Sequence, residues 1–378
     1  MSSDPSRQEA GSAALFAPGA YISGLDGLRA VAVLLVLVGH LGFEKLIPGG
    51  LGVTVFFFIS GFLITTLLTR EARAHGTISI SKFYMRRIIR LYPELILLIV
   101  VGGTVGLFLY HGVRPIDVAG ALGYFTNYLV LHDEVSGGGP GPRWPHLWSL
   151  AVEEHFYLTF PLLMWASWRR RGLLAAVLAL VCVAALAWRF HVHAAGAPFG
   201  LSQTVAQPYT ALASEARIDS IAYGCLASLL FQQAGEFLSR RPALSLAAGL
   251  VGAAGLLFSL AWRDEVFRYT WRYSLQGLAL MGFFIGLYLT PAGVWIRGAV
   301  LDLPLIRRLG VLSYGAYLWH MEIVLACGAW SGRAPLDLPL SYKIGLTLGG
   351  AVLSFLLAEV SLRVVAPVQR LRHQLFSR

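Results

Sequence analysis

Apolar residues run along this chain in blocks rather than in alternation. The stretches at 22–43, 51–68, 173–188 and 346–365 are near-continuous apolar runs, interrupted more by small residues than by charge. An α-helix needs about 17–25 such residues to cross about 30 Å of hydrocarbon. The pattern therefore predicts an all-α, polytopic membrane protein with ten transmembrane helices. These fall near 26–43, 51–69, 91–110, 147–168, 172–190, 216–233, 242–262, 272–290, 309–330 and 342–365. An eleventh segment, 116–131, is shorter and carries Asp117 and Asn127, and reads as a short re-entrant helix in an outer loop. Residues 1–20 contain Asp4, Arg7 and Glu9 without an apolar core or cleavage site, so they read as a disordered cytoplasmic tail rather than a signal peptide. The membrane domain is then 21–366, followed by a basic cytoplasmic tail at 367–378.

Composition supports the same class. Charged residues make up 13% of the chain and hydrophobic ones 56%, whereas a soluble domain carries about 25% charge. The formal charge of +10 does not point to nucleic acid, because the basic residues sit in short loops and form no stripe with interleaved aromatics. Their distribution instead orients the chain. Arg70, Arg73, Lys82, Arg86, Arg87, Arg90, Arg169, Arg170, Arg171, Arg240, Arg241, Arg307 and Arg308 all fall on one side if 116–131 does not cross. The positive-inside bias then puts both termini in the cytoplasm. Cys182, Cys225 and Cys327 all lie in apolar runs and suggest neither a disulfide framework nor a metal site.

Ionisable side chains at bilayer depth are expensive, and each is a functional candidate. Arg29 and His40 are eleven residues apart in the first span, about 20° past three full turns and about 16 Å along an ideal helix. Both would then project from one face, a cation near the inner surface and a base near the outer one. The bland alternative is a snorkelling Arg29 and a packed, hydrogen-bonded His40. Arg86, Arg87 and Arg90 precede Pro93 in a segment that reads as an amphipathic helix at the inner surface, with Pro93 in the first turn of the next span. Guanidinium forks grip phosphate oxygens, although such a cluster serves equally as a positive-inside anchor. In Trp148-Ser149-Leu-Ala-Val-Glu153-Glu154-His155, Glu153 comes to about the depth of His40 and would orient its imidazole, unless both carboxylates are solvated. Adjacent carboxylates diverge by about 100° on a helix, so only one can face His40. Arg217 and Asp219 suit hydrogen bonds to a polyhydroxylated acceptor, but read equally as a structural pair. His320 is either a second functional histidine or a helix–helix hydrogen-bond donor. Gly102/Gly106 and Gly345/Gly349 have the spacing of close helix packing. Ser60, in an apolar setting, reads as a packing serine.

Several ordered signatures resemble the acyltransferase-3 family of integral membrane O-acyltransferases. They are Leu25-Asp26-Gly27-Leu28-Arg29 with His40, the run Gly52 to Ile64, Phe83-Tyr84-Met-Arg86-Arg87-Ile-Ile-Arg90-Leu-Tyr-Pro93, the Trp148 to Tyr157 motif, and Ser313-Tyr-Gly-Ala-Tyr317-Leu-Trp319-His320. The match runs from about residue 22 to 365. The resemblance implies an acyltransferase, transferring groups other than aminoacyl groups. It would move an acyl group, expected to be acetyl, from cytoplasmic acyl-CoA to a sugar hydroxyl of a surface or secreted glycan or glycolipid. Acyl-CoA is then a co-substrate with no permanent cofactor or metal, and the acceptor a carbohydrate that can be lipid-linked. The location implied is a bacterial inner membrane. The resemblance implies catalysis by Arg29 and His40 and donor handling by Arg87 and Arg90; the placement of the residues adds His40 as general base with Glu153, Arg29 and Arg86 beside the donor, and acceptor binding by Trp148, Arg217, Asp219 and His320. His155 stands where glutamine is usual and Thr54 where an acidic residue often appears, which bears on acceptor choice. Rival readings are a transporter or flippase of a glycan or lipid intermediate, which the lack of an internal repeat weakens, and a haem protein using His40, His155 or His320.

Overall fold

The computed structural model describes residues 16, 21–47, 49–109, 112–135, 141–198 and 206–376. The tail expected at 1–20 lies outside the described residues apart from Phe16, as do the last two residues of the basic tail. Helix α1 (Leu25–Val38) passes into a π turn (Gly39–Phe43), followed by α2 (Gly49–His75), α3 (Ile80–Leu109), α4 (Pro115–Leu122) and α5 (Thr126–Val135). A 3-10 turn (Pro145–Leu147) leads into α6 (Trp148–Ser167), α7 (Arg171–Ala195), α8 (Ala206–Leu212) and α9 (Ser214–Ser239). The rest is α10 (Pro242–Ala261), α11 (Glu265–Tyr269), α12 (Trp271–Leu289), α13 (Pro291–Ile296), α14 (Pro304–Val311), α15 (Ser313–Ser331) and α16 (Leu340–Phe376). No strand occurs among the described residues.

Six helices are long and apolar enough to cross a membrane: α1 with its π turn, α2, α3, α7, α10 and α16. Two bent pairs raise the number to eight if each is one crossing, α12 with 291–301 at 84° and α14 with α15 at 68°. The first bend has a clear cause. Thr290 precedes Pro291, which disfavours helical dihedrals there. Thr290 is extended (φ −125°, ψ 153°), and its hydroxyl accepts from the Gly293 amide to start α13. Ten crossings were expected. Helices α6 and α9 do cover 147–168 and 216–233, but neither meets the same test, because polar residues such as Glu153, Glu154, Arg217 and Asp219 interrupt them.

Two other expectations change. Residues 80–109 form one helix with Pro93 inside it, not an interfacial helix followed by a new span. At about 1.5 Å per residue its 30 residues reach about 45 Å, so its arginine-bearing first third exceeds the hydrocarbon thickness. The segment 116–131 forms the short pair α4 and α5, broken at Tyr124 (φ 54°). Arg114 ties the two together through Asp117 at 2.7 Å and Asp133 at 2.8 Å. Those bonds hold the Asp133 carboxyl below the usual carboxylate range.

The helices form two compact units. One holds residues up to 27, 54–78 and 156–306. Its helices approach closely through glycines: a Cβ on Gly224 would meet the Phe58 carbonyl at 2.0 Å, and one on Gly249 the Gly286 Cα at 2.7 Å. Small residues are how membrane helices gain van der Waals contact. The other unit holds 28–53, 79–155 and 307–378. There Gly52 lets α2 begin against α1, since a Cβ would meet the Ala32 carbonyl at 2.4 Å. The glycine pairs singled out in the sequence behave differently. Gly102 and Gly106 make room for the Glu322 and Arg143 side chains, while Gly345 and Gly349 face nothing within 4 Å.

Candidate functional site

The second unit brings His40, His146 and His320 together. α1 gives way after Val38 to a π turn that carries His40 and closes on Gly42 (φ 129°), a left-handed value that favours glycine. π turns inside helices recur at functional sites. The turn is held from α16, whose Thr347 hydroxyl donates to the Leu41 carbonyl at 3.2 Å. His40, half-buried, places Nδ1 2.9 Å from Nε2 of His320 on α15, with the two rings parallel and their centroids 5.1 Å apart.

The hydrogen-bond chain assigns the protons. His320 Nδ1 lies 2.5 Å from the Tyr317 carbonyl oxygen. A carbonyl only accepts, so this nitrogen carries the proton, and in a neutral ring Nε2 is then the acceptor. It takes the proton-bearing Nδ1 of His40, which leaves the lone pair of His40 on Nε2. His320 thus does for His40 what a carboxylate was expected to do, fixing ring and tautomer. Replacing His320 with leucine strands the His40 Nδ1–H. Turnover is expected to fall about tenfold or more, with substrate KM values unchanged, as steady-state kinetics would read.

A third histidine joins them. His146, in the 3-10 turn before α6, is 3% exposed, and its ring centroid is 5.2 Å from that of His320. No role for it was legible in the sequence, although it lies two residues before the Trp148 motif. Its segment is anchored from α15. Arg143 pairs with Glu322 at 2.5 Å, and the Trp144 indole donates to the same carboxylate at 2.9 Å. The Tyr317 hydroxyl donates to the His146 carbonyl at 2.5 Å and receives the Ser149 hydroxyl at 2.7 Å.

Other expected residues lie on the same unit. Arg29 is half-buried on α1, and Trp148 and Glu153 are half-buried on the first turns of α6. The two carboxylates of α6 diverge as helix geometry requires: Arg87 and Arg90 of α3 lie close enough to attract Glu154. Arg90 also acts on Glu94, which is buried beside Gly315. Arg87 and Arg90 thus have carboxylate neighbours that the sequence did not suggest. His155 stacks on Tyr128 with centroids 6.1 Å apart.

Arg217 and Asp219 belong to the other unit, on α9. They do not pair in isolation as the sequence allowed. Asp219 is bound by Arg189 of α7 at 2.7 Å, with both side chains fully buried. Arg217 donates to the Ala211 carbonyl at 2.9 Å and the Thr54 hydroxyl at 3.1 Å, over the ring of Tyr273 at 3.8 Å. Thr54, noted above as a departure, is therefore an Arg217 partner. The Ser60 hydroxyl is hydrogen-bonded to that of Tyr157. Among the described residues, no group of three or more His, Cys, Asp or Glu has the arrangement to hold a metal ion.

An acyltransferase domain model, that of the acyltransferase-3 family, matches residues 22–359. The peptidoglycan O-acetyltransferase OatA of Listeria monocytogenes is 28% identical over 318 residues, covering 80% of this chain and 49% of its own length. The O-acetyltransferase OatA of Staphylococcus aureus is 29% identical over 318 residues, covering 81% and 51%. The chain spans about half the length of the curated relatives it matches. No solved structure matches it.

Proposed function

This chain belongs to the acyltransferase-3 family, and on that premise we propose that it transfers an acetyl group from cytoplasmic acetyl-CoA to a glycan hydroxyl, with His40 as general base. The observation that carries the reading is the chain from the Tyr317 carbonyl through His320 to His40, which leaves His40 Nε2 as the basic atom. The acceptor hydroxyl gives its proton to Nε2, and its oxygen attacks the thioester carbonyl. As the tetrahedral intermediate collapses, the C–S bond breaks and the CoA thiolate recovers the proton from Nε2–H. His320 stabilises the imidazolium in between. General-base catalysis of this kind contributes about 10²–10⁴-fold.

Arg86, Arg87 and Arg90 on the projecting third of α3 take the CoA phosphates, and Arg29 lies on the path of the pantetheine arm. Their neighbours Glu94 and Glu154 balance that charge while no donor is bound. Arg87→Ala and Arg90→Ala are each expected to raise the KM for acetyl-CoA about tenfold, the weight of a charge-assisted contact. Unchanged donor KM would leave these residues as topological anchors. Helices α6 and α9 are further crossings in this reading, giving ten, with both termini in the cytoplasm and the protein in an inner membrane. The skewed loop arginines support that orientation.

Peptidoglycan is the first acceptor to test, after the name of the Listeria relative. The assay is purified protein in lipid nanodiscs with [14C]acetyl-CoA and oligosaccharides released from peptidoglycan or other surface glycans. Label appearing in an O-acetyl ester supports the proposal. Movement of glycan across a vesicle membrane without acetyl-CoA consumption would instead support a transporter.

A further inference from the structure

His146 has one nitrogen that its surroundings leave unused. Nε2 lies 3.1 Å from the Leu318 carbonyl oxygen, so that nitrogen carries the proton and Nδ1 is a bare lone pair. Nδ1 is buried and has no hydrogen-bond partner among the described residues. A buried acceptor left unpaired is destabilising, and native proteins keep few of them.

Loose packing does not account for it. The ring is fixed by its own bond to Leu318, and the backbone by the Tyr317 hydroxyl. Two residues earlier, Trp144 and the Arg143–Glu322 pair hold the same segment to α15, and Arg143 also reaches the Gly102 carbonyl of α3 at 3.2 Å. The chain therefore holds an imidazole rigidly, beside His320, with its only remaining polar atom unsatisfied. Preorganised polar groups of this kind are what a binding site requires. A glutamine could serve a purely structural bond to Leu318.

We infer that His146 Nδ1 is a binding atom for the acceptor, receiving a hydrogen bond from a sugar hydroxyl adjacent to the one that His40 deprotonates. The inference rests on the general-base reading above. A lone pair can only accept, so the ligand group must be a donor. A polyol carries such a donor on the carbon next to the reacting one. The pantetheine amide N–H groups of the CoA donor have the same hydrogen-bonding chemistry, and the test separates the two sources.

Two substitutions divide the roles of the ring. His146→Gln keeps an N–H for Leu318 but places no acceptor at Nδ1, whereas His146→Asn sets its Oδ1 where Nδ1 stands. With [14C]acetyl-CoA and peptidoglycan oligosaccharides, His146→Gln should raise the acceptor KM about tenfold, the weight of one lost hydrogen bond to a buried group. The acetyl-CoA KM should not move, and His146→Asn should recover most of the loss. An acceptor KM unchanged in His146→Gln overturns the inference. So does a rise in the acetyl-CoA KM instead, which would assign Nδ1 to the donor, or an equal loss in both variants with lowered melting temperatures, which would make the role structural. A wild-type protein that transfers no acetyl group at all would remove the general-base reading itself, and this inference with it.

Discussion

His40→Ala is expected to lower acetyl transfer by about 10²–10⁴-fold, with little change in the KM of either substrate. The magnitude follows from what the ring does. An alcohol with a pKa far above neutrality is a poor nucleophile, and only a base in contact with its proton makes it a good one. Deleting the base removes an interaction made in the transition state, so the loss appears in kcat and kcat/KM together. The pH profile supplies an independent check. A general base works only unprotonated, so the wild-type rate should climb as pH rises through the His40 pKa and then level off. In His40→Ala that limb should vanish, leaving a residual rate that grows with hydroxide. His40→Gln is the stringent companion, since it keeps volume and polarity but cannot take the proton. Near-wild-type transfer by either variant would remove His40 from the chemistry, and the His40–His320 pair would then be a helix-packing hydrogen bond.

Much of this was visible in the residues, and the limits are specific. The block pattern located the helices well, because apolar length alone decides whether a segment can cross. It also marked Arg29 and His40, since ionisable groups in apolar runs stand out, and the basic cluster before Pro93 marked Arg87 and Arg90. What it could not show was partnership. His40 and His320 are 280 positions apart, and nothing local in either segment reveals that they touch. Glu153 looked like the partner of His40 because depth along an ideal helix was the only coordinate available. The π turn at Gly39–Phe43 was hidden for a related reason, as extrapolating Arg29 to His40 assumes an unbroken helix. His146 was overlooked because it lies before the helix, in a loop where a histidine is unremarkable until its ring is found buried. Helices α6 and α9 show the opposite limit. Their polar residues qualify them as functional candidates and, by the same count, disqualify them as simple apolar spans. Gly102 and Gly106 do admit close neighbours, but Gly345 and Gly349 do not, because small-residue spacing shows that an approach is permitted, not that one occurs.

Arg189→Met is expected to destabilise the protein by about 3–5 kcal/mol, the usual result of leaving a buried charge without its partner. The Arg189 guanidinium is fully buried, and each of its nitrogens is used. Nε donates to the Thr270 carbonyl at 2.8 Å, Nη1 to the Ala216 carbonyl at 2.5 Å, and Nη2 to Asp219 at 2.7 Å and the Ser274 hydroxyl at 2.6 Å. Ser274 in turn donates to the same Asp219 oxygen at 2.9 Å. One side chain therefore joins α7 to α9, to the start of α12 and to the residue that precedes it. Methionine fills similar space but strands Asp219 and two carbonyls. Burial without compensation is what makes the loss large, because the Asp219 carboxylate and the two carbonyls lose their direct hydrogen-bond donor. The decisive comparison is the pair Arg189→Met and Asp219→Leu. If the ion pair is balanced, the double variant should regain most of the stability lost by Arg189→Met alone, since apolar replacements of buried pairs are often neutral. Unfolding free energies from mixed-micelle SDS titration of the three variants and wild type give the coupling directly. A single variant as stable as wild type would show that the network carries no net weight. It would also reopen Asp219 as a residue kept for the acceptor rather than for the fold.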